Sequence, residues 1–436
     1  MGRGDGQVAS ALARASSSII RSVTTGARNA REIVQSLRQP VERRRSLVSS
    51  TTNIEHSRGR VVVLAKAFPP TLGGVETYSE QVVRAYLRAD YAVSVLTQTA
   101  GAAGWARRDS EDGVFDLFST GSGGQAAVSR RLWSAARLLK RRSSDLIGVH
   151  STTWRPGVVG QSVFPGLPRV ITVHGREVLN YPRGTGAVMR FVLNKATRVL
   201  AVSTATRSIG VEAARPTRLA QWVVSYNGLT HAERAASFER IEHDGPLRIL
   251  SLCRLVPRKN VRRAVAAVAT LPPQLRDNID FRIAGRGPES DSIAAEIARL
   301  NLGRVVALTG FVAEDDVSRL YDWADIFVHP QSHVGQGVDF EGFGIAIADA
   351  MAHGCAVIAG RDGGPADFVK DGVTGLLVDG NETAAISDAL GRLLGDAELR
   401  GRLASAGRDF AFNSFSWDRH IEPALAVFTA DAGVAV

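Results

Sequence analysis

Runs of aliphatic and β-branched residues alternate along this chain with stretches whose apolar positions recur every three to four residues. The first run, Arg60-Val61-Val62-Val63-Leu64-Ala65, has no polar alternation, the pattern of a strand buried on both faces. A helix is predicted from about residue 74 to 87. Strand-like runs then follow at 91–97, 114–118, 145–150, 169–173, 198–203 and 221–226, with helical periodicity near 126–142, 185–196 and 204–213. A second series opens with a strand at 247–254 and a helix at 261–270, and continues through strands at 280–284, 304–310, 325–328 and 355–359. Strand, helix, strand in repetition predicts parallel sheets covered by helices, and ligands of such sheets gather at the carboxyl ends of the strands.

Candidate chemistry falls at those ends. Gly73 and Gly74 separate the first strand from its helix, a loop that lets an anion or an acceptor approach the backbone, or simply a connecting turn. His174 closes the run Val170-Ile171-Thr172-Val173, where a polar side chain or its carbonyl faces a cleft; a hydrogen-bonded structural imidazole is the alternative. Arg254 and Lys259 bracket the turn after the strand at 247–254, so both can converge on a diphosphate or remain solvated surface charges. Gly285 to Pro288, including Gly287, and Gly310-Phe311-Val312 follow further strands. The densest stretch is Glu341-Gly342-Phe343-Gly344-Ile345-Ala346-Ile347-Ala348-Asp349. Its apolar spacing predicts a helix from Phe343 or Gly344, with free N–H groups at the start, two glycines beside them, and a carboxylate on each side. That arrangement suits a polyol carrying phosphate.

Taken in order, these motifs resemble glycosyltransferase family 4 over roughly residues 59–432. The family carries a Glu, seven residues, then a second Glu; here Glu341 matches the first and Asp349, one methylene shorter, stands at the second. The resemblance implies a GT-B architecture, two Rossmann-like doubly wound α/β domains facing a central cleft. It implies a first domain at 59–230, a linker at 231–246, a nucleotide-sugar domain at 247–415, and a final helix at 416–436 crossing back. It further implies a retaining, metal-independent hexosyl transfer from GDP-mannose or a UDP-sugar, with no obligatory cofactor, to a glycan or lipid-linked acceptor of cell-surface polysaccharide or glycolipid synthesis. Arg254 and Lys259 would hold the departing diphosphate, helped by N–H groups near Gly344 and Ile345, with Gly342 and Phe343 also in the donor-binding loop. Glu341 would bind sugar hydroxyls, Asp349 the ribose, and His174 the region of the reacting sugar. A nucleotide-sugar epimerase and a catalytically degenerate sugar-nucleotide-binding scaffold are the competing readings.

Composition narrows these classes. With 436 residues, 44% hydrophobic and 6% aromatic, the chain fits a two-domain α/β protein. Cys253 and Cys355 lie in predicted buried strands with no partner at ligand spacing, which favours packing over metal or redox work. No apolar run reaches the ~18 residues of a membrane span. The net charge of +10 is concentrated at one end: residues 1–58 hold ten arginines against four acids. This basic extension is read as a flexible tail, an organelle transit peptide, or a helix for an anionic membrane surface, the last suiting a cytoplasmic protein at the inner face of a membrane. No aromatic platform accompanies it, so nucleic acid is not an expected partner.

Overall fold

In the computed structural model, residues 58–71, 73–99, 101–179, 181–238, 243–335 and 339–431 are described. The expectations for residues 1–57 lie outside them. The β-branched runs form two separate sheets. In the first, β1 (Arg60–Ala65), β2 (Ala92–Thr97), β3 (Gly104–Ser110), β4 (Gly113–Ser119), β5 (Leu146–Ser151), β6 (Arg169–Val173), β7 (Arg198–Ala201) and β8 (Trp222–Val224) stand in the order β3-β4-β2-β1-β5-β6-β7-β8. In the second, β9 (Leu247–Leu252), β10 (Ile279–Ala284), β11 (Val306–Gly310), β12 (Ile326–His329), β13 (Ala356–Gly360) and β14 (Leu376–Val378) stand in the order β11-β10-β9-β12-β13-β14. All neighbours are parallel except β3 with β4.

The order reverses between β1 and β5 in one sheet and between β9 and β12 in the other. Chains leaving adjacent strands at such a point diverge to opposite faces and open a crevice. The ends of β1, β5 and β6 carry the Gly73 loop, Thr152 and His174; the ends of β9 and β12 carry Lys259 and the loop to Glu341. The two crevices face each other, since the Thr206 hydroxyl donates to the Gly342 carbonyl at 3.2 Å and the Thr204 N–H to Asp367 at 2.6 Å.

The helix Trp417–Asp431 follows the second domain but packs on the first sheet. Trp417, Ile421, Ala424 and Phe428 join the core of Val61, Val63, Tyr78 and Tyr86, and Phe428 lies where any side chain on Gly148 would collide. Among the described residues no helix is long and apolar enough to cross a membrane.

Several expected bounds move. The strand at 198–203 ends at Ala201, because Ser203 caps the helix Thr204–Ala214 by accepting from the Thr206 N–H at 3.0 Å. Cys253 falls just beyond β9 and Cys355 just before β13, so neither lies in a strand. The edge strand β3 and the helix Trp154–Val163 have no counterpart in the apolar pattern.

Candidate active site

Lys259 ends a single 3-10 turn, Pro257–Lys259, that follows β9. Next to it Asn260 takes a left-handed conformation, φ 52°, and its amide donates to Ser332 Oγ (2.7 Å), Gly380 O (2.9 Å) and Pro330 O (3.2 Å). The turn after β9 is thereby clamped to the loop after β12. Lys259 is only 8% exposed, and its ammonium donates to Glu341 Oε2 and, at 3.0 Å, to His329 Nε2.

The hydrogen bonds fix the His329 tautomer. The Gln331 amide nitrogen donates to Gly360 O at 2.7 Å and its oxygen accepts from Gly360 N–H at 3.1 Å, so the His329 Nδ1–H must donate to that oxygen, at 3.0 Å. Nε2 is left as the acceptor for Lys259. Burial, reinforced by the Lys259 charge, pushes the His329 ring down to about 3, so it stays neutral.

Glu341 receives a second cation, since Arg258 donates to the same Oε2 and lies 3.4 Å from Asp339. Burial alone would raise the Glu341 carboxyl; the Lys259 and Arg258 charges overcome it and hold the group well below the usual carboxylate range. Oε1 is left for another donor. Past Glu341 the chain must run against the first domain, and a Cβ on Gly342 would overlap the His174 carbonyl oxygen. Gly344 is left-handed, φ 93°, so the helix starts at Ile345 rather than at Phe343 or Gly344. No side chain caps it, and Ile345 and Ala346 are partly exposed there. Phe343 is buried against Phe368 and Phe415. Beside this knot, a hollow of about 450 Å³ is lined by Gly285, Arg286, Gly287, Ser290, Thr309 and Gly310.

The opposite wall is built round a neutral imidazole, with the charges of Glu177 and Lys66 beside it. The His174 Nε2–H donates to Thr152 O at 2.8 Å, its N–H donates to Glu177 at 2.5 Å, and Tyr78 meets its ring edge-on at 4.5 Å. Burial pushes the imidazole pKa down, which leaves Nδ1 as an acceptor. Behind it runs one directed chain. His420 Nδ1–H donates to Tyr226 O (3.0 Å) and Ser225 O (3.1 Å), so its Nε2 accepts from the Tyr78 hydroxyl at 2.7 Å. Tyr78 accepts from Thr172 (2.5 Å), Thr172 from His150 Nε2–H (2.8 Å), and His150 Nδ1 from Tyr86 (2.8 Å). Gly73 and Gly74 begin the helix that carries both tyrosines, Gly74–Arg88, and Gly74 has open space around it.

The structure thus brings Lys259, Glu341, Gly342, Gly344, Ile345 and His174 together at the mouth of the two crevices, with Gly287 in the adjoining hollow. Two of the expected residues stand apart from this knot. Arg254 is exposed and makes no side-chain hydrogen bond or ion pair among the described residues; Arg258 stands at Glu341 instead. Asp349 is 4% exposed and turned to the linker, accepting from the Thr230 N–H at 2.8 Å, where burial raises its carboxyl to about 6. His329, Gln331 and Tyr78 carry no signal in the sequence beyond lying at strand ends or in a helix. Arg258 was legible only as the neighbour of Lys259. Burial pushes the Cys253 thiol up to about 11, consistent with a packing role.

Comparison with known proteins follows the same division. Residues 72–233 match the Glycosyltransferase Family 4 profile and residues 233–410 the profile of glycosyl transferases group 1. The GDP-mannose-dependent alpha-(1-6)-phosphatidylinositol monomannoside mannosyltransferase of Mycolicibacterium smegmatis is 28% identical over 385 residues, 82% of this chain and 95% of that protein. The D-inositol 3-phosphate glycosyltransferase of Salinispora tropica is 34% identical over 172 residues, 38% of this chain and 34% of that one. Among solved structures, sucrose-phosphate synthase from Thermosynechococcus elongatus superposes with a TM-score of 0.71 at 19% identity, covering 86% of this chain and 100% of that one. Anabaena HepE in complex with UDP and glucose gives 0.66 at 19% identity, with the same coverage. The shared fold is GT-B.

Proposed function

The chain belongs to glycosyltransferase family 4 and is a nucleotide-sugar-dependent glycosyltransferase, and we propose that it moves mannose from GDP-mannose to a lipid-linked polyol with retention of configuration. The observation that carries this reading is the knot of Lys259, Arg258 and Glu341 beneath an uncapped helix start, facing His174 across the cleft. The likeness to GDP-mannose-dependent glycolipid mannosyltransferases, nearly end to end, supports the choice of donor and acceptor.

In this mechanism the C1–O bond of the donor breaks with its electron pair passing to the β-phosphate oxygen. An ammonium has three donors; Glu341 and His329 occupy two, and the third meets the departing phosphate. The N–H groups of Ile345 and Ala346 and the helix dipole stabilise the same charge. Such preorganised stabilisation of the leaving group supplies the largest share of the rate. Glu341 Oε1 accepts sugar hydroxyls, while the neutral His174 accepts a hydroxyl through Nδ1. The acceptor hydroxyl forms the new bond to C1 and its proton leaves with the diphosphate. Positioning the acceptor against the first domain contributes through proximity.

The test is nucleoside diphosphate release and thermal stabilisation across GDP-mannose, UDP-glucose and ADP-glucose, with Lys259→Ala as control. GDP-mannose alone is expected to act, and only with Lys259 present. Turnover of a UDP-sugar in its place would overturn the donor assignment, and binding without turnover in the presence of a polyol lipid would overturn the transferase mechanism.

A further inference from the structure

The two covalent crossings between the domains meet at one peptide group. The chain leaves the first sheet at Val224 and reaches the helix Ala232–Ser237, whose Ala235 is buried in the second domain's core. It returns between Phe415, in that same core, and Trp417, in the core of the first domain. Between them lies the peptide joining Leu229 and Thr230. Its carbonyl accepts from Trp417 Nε1–H at 2.9 Å, and its N–H donates to Asp349 Oδ1 at 2.8 Å. One domain therefore holds the oxygen side of this peptide plane and the other holds the nitrogen side. Trp417 also lies against Gly228, where any side chain would collide with the indole.

Asp349 sits one turn inside the helix Ile345–Ala352, whose N-terminus is at the knot. The same rigid element thus presents its first N–H groups to the donor and its carboxylate to the crossing. The side chain is buried, and its charged neighbours, one basic and one acidic, are on the hinge side: His231, next to Thr230, lies 3.5 Å from Glu314 at the start of the helix Glu314–Trp323. A ribose diol would have to displace the Thr230 N–H to reach the oxygen that holds it.

We infer that Asp349 is a positioning residue rather than a ribose ligand: with Trp417 it clasps the Leu229–Thr230 peptide and sets the angle between the domains. The shorter acid at this position fits that role, since its oxygen already stands at hydrogen-bond distance from the linker backbone. Movement of the Ile345 helix toward a bound donor then transmits directly to the pivot.

One arm of the test needs no nucleotide and stands whether or not the donor assignment holds. Amide hydrogen exchange of the segment 226–231 is compared in the whole protein and in Asp349→Ala and Asp349→Asn. The clasp predicts exchange at least about tenfold faster in D349A; D349N, whose amide oxygen accepts the same bond, stays within about threefold. Equal exchange in all three overturns the clasp. The second arm rests on the GDP reading and compares the Kd of GDP and of 2′,3′-dideoxy-GDP in wild type and D349N. A loss on removing the hydroxyls that is the same in both proteins supports the inference, and a loss that disappears in D349N overturns it. If D349A does not fold, Trp417→Phe reads the other side of the same peptide: kcat is expected to fall about tenfold with donor KM within twofold. An unchanged kcat in W417F overturns the proposal.

Discussion

The two walls of the cleft solve one problem, a buried polar surface, in opposite ways. On the second domain, Lys259, Arg258, Glu341 and Asp339 form a knot of ionised groups seated on a neutral His329. On the first domain, Tyr86, His150, Thr172, Tyr78 and His420 form a chain in which every member is neutral and each donor has an acceptor. Charge buried beside opposite charge is held strongly but tolerates no missing partner, whereas a satisfied neutral chain loses only its local bonds when cut. The difference matches the proposed division of labour. A departing diphosphate needs fixed charge, and a neutral acceptor hydroxyl needs aimed donors and acceptors without a field that would favour water or phosphate there.

Cutting each wall tests that contrast. The largest effect is expected from Lys259→Ala, which removes the cation facing the leaving group and leaves Glu341 to Arg258 alone. Diphosphate release should fall about 1,000-fold, and the loss should persist at saturating donor. His329→Leu leaves Lys259 charged but removes the acceptor that aims it, so Lys259 collapses onto Glu341. A fall in kcat of about 10- to 100-fold is expected, as for a misplaced catalytic group. Equal kcat in H329L would show that Glu341 alone seats the lysine.

On the neutral wall, Tyr78→Phe strands His420 Nε2 and the Thr172 hydroxyl. Unfolding in denaturant should show a loss of about 2 kcal/mol, with the Lys259-dependent step largely intact. A loss of donor turnover as deep as that of Lys259→Ala would erase the distinction between the walls.

Acid titration gives the smallest and most graded test. His420 is pushed down to about 4 and His329 to about 3, both by burial first, so below their unfolded value of about 6.5 only the unfolded chain takes up their protons. Stability therefore falls as pH drops from about 6.5 toward 4, by about 1.4 kcal/mol per unit for each ring. Asp349 acts with the other sign. Its carboxyl, raised to about 6, favours the folded state below the unfolded carboxylate range, and that contribution is lost as pH rises through 6. Denaturant midpoints at pH 7, 6 and 5 should decline for the wild type and decline more steeply in D349N, where the opposing term is gone. Parallel slopes in the two proteins would show that the buried carboxyl is not titrating there.

Much of the fold was legible because a strand covered on both faces leaves an uninterrupted apolar run. β1, β6, β10 and β13 read directly. Two of the elements that were not predicted break that rule for opposite reasons. β3 is an edge strand whose side chains, Trp105 to Asp109, are exposed, so burial imposed no pattern on it. The helix Trp154–Val163 contains Pro156, Gly157 and Gly160, poor helix formers, and is held by packing: Gly157 lies against Val192 and Ile171, and Gly160 against Leu64 and Val149. There tertiary contact overrides propensity.

The same boundary divides the site. Strand ends, glycine loops and the acidic helix start follow from local spacing, which placed Lys259, Glu341, Ile345 and His174 at such ends; that these ends face one cleft came from the family resemblance. Which side chains then meet was decided by how far the chains leaving β9 and β12 diverge and by what that divergence buries. Arg254, two residues past β9, stays in solvent, while Arg258, four further on, turns beneath the returning loop to Glu341. Asp349 has the right place in sequence for a ribose, and only the fold shows that the linker passes within reach of its Oδ1, which accepts from the Thr230 N–H. Periodicity is a property of the backbone and is written residue by residue. Pairing and protonation depend on the desolvation and fields of segments far apart in the chain, 70 residues between Lys259 and His329, and only the folded chain supplies them.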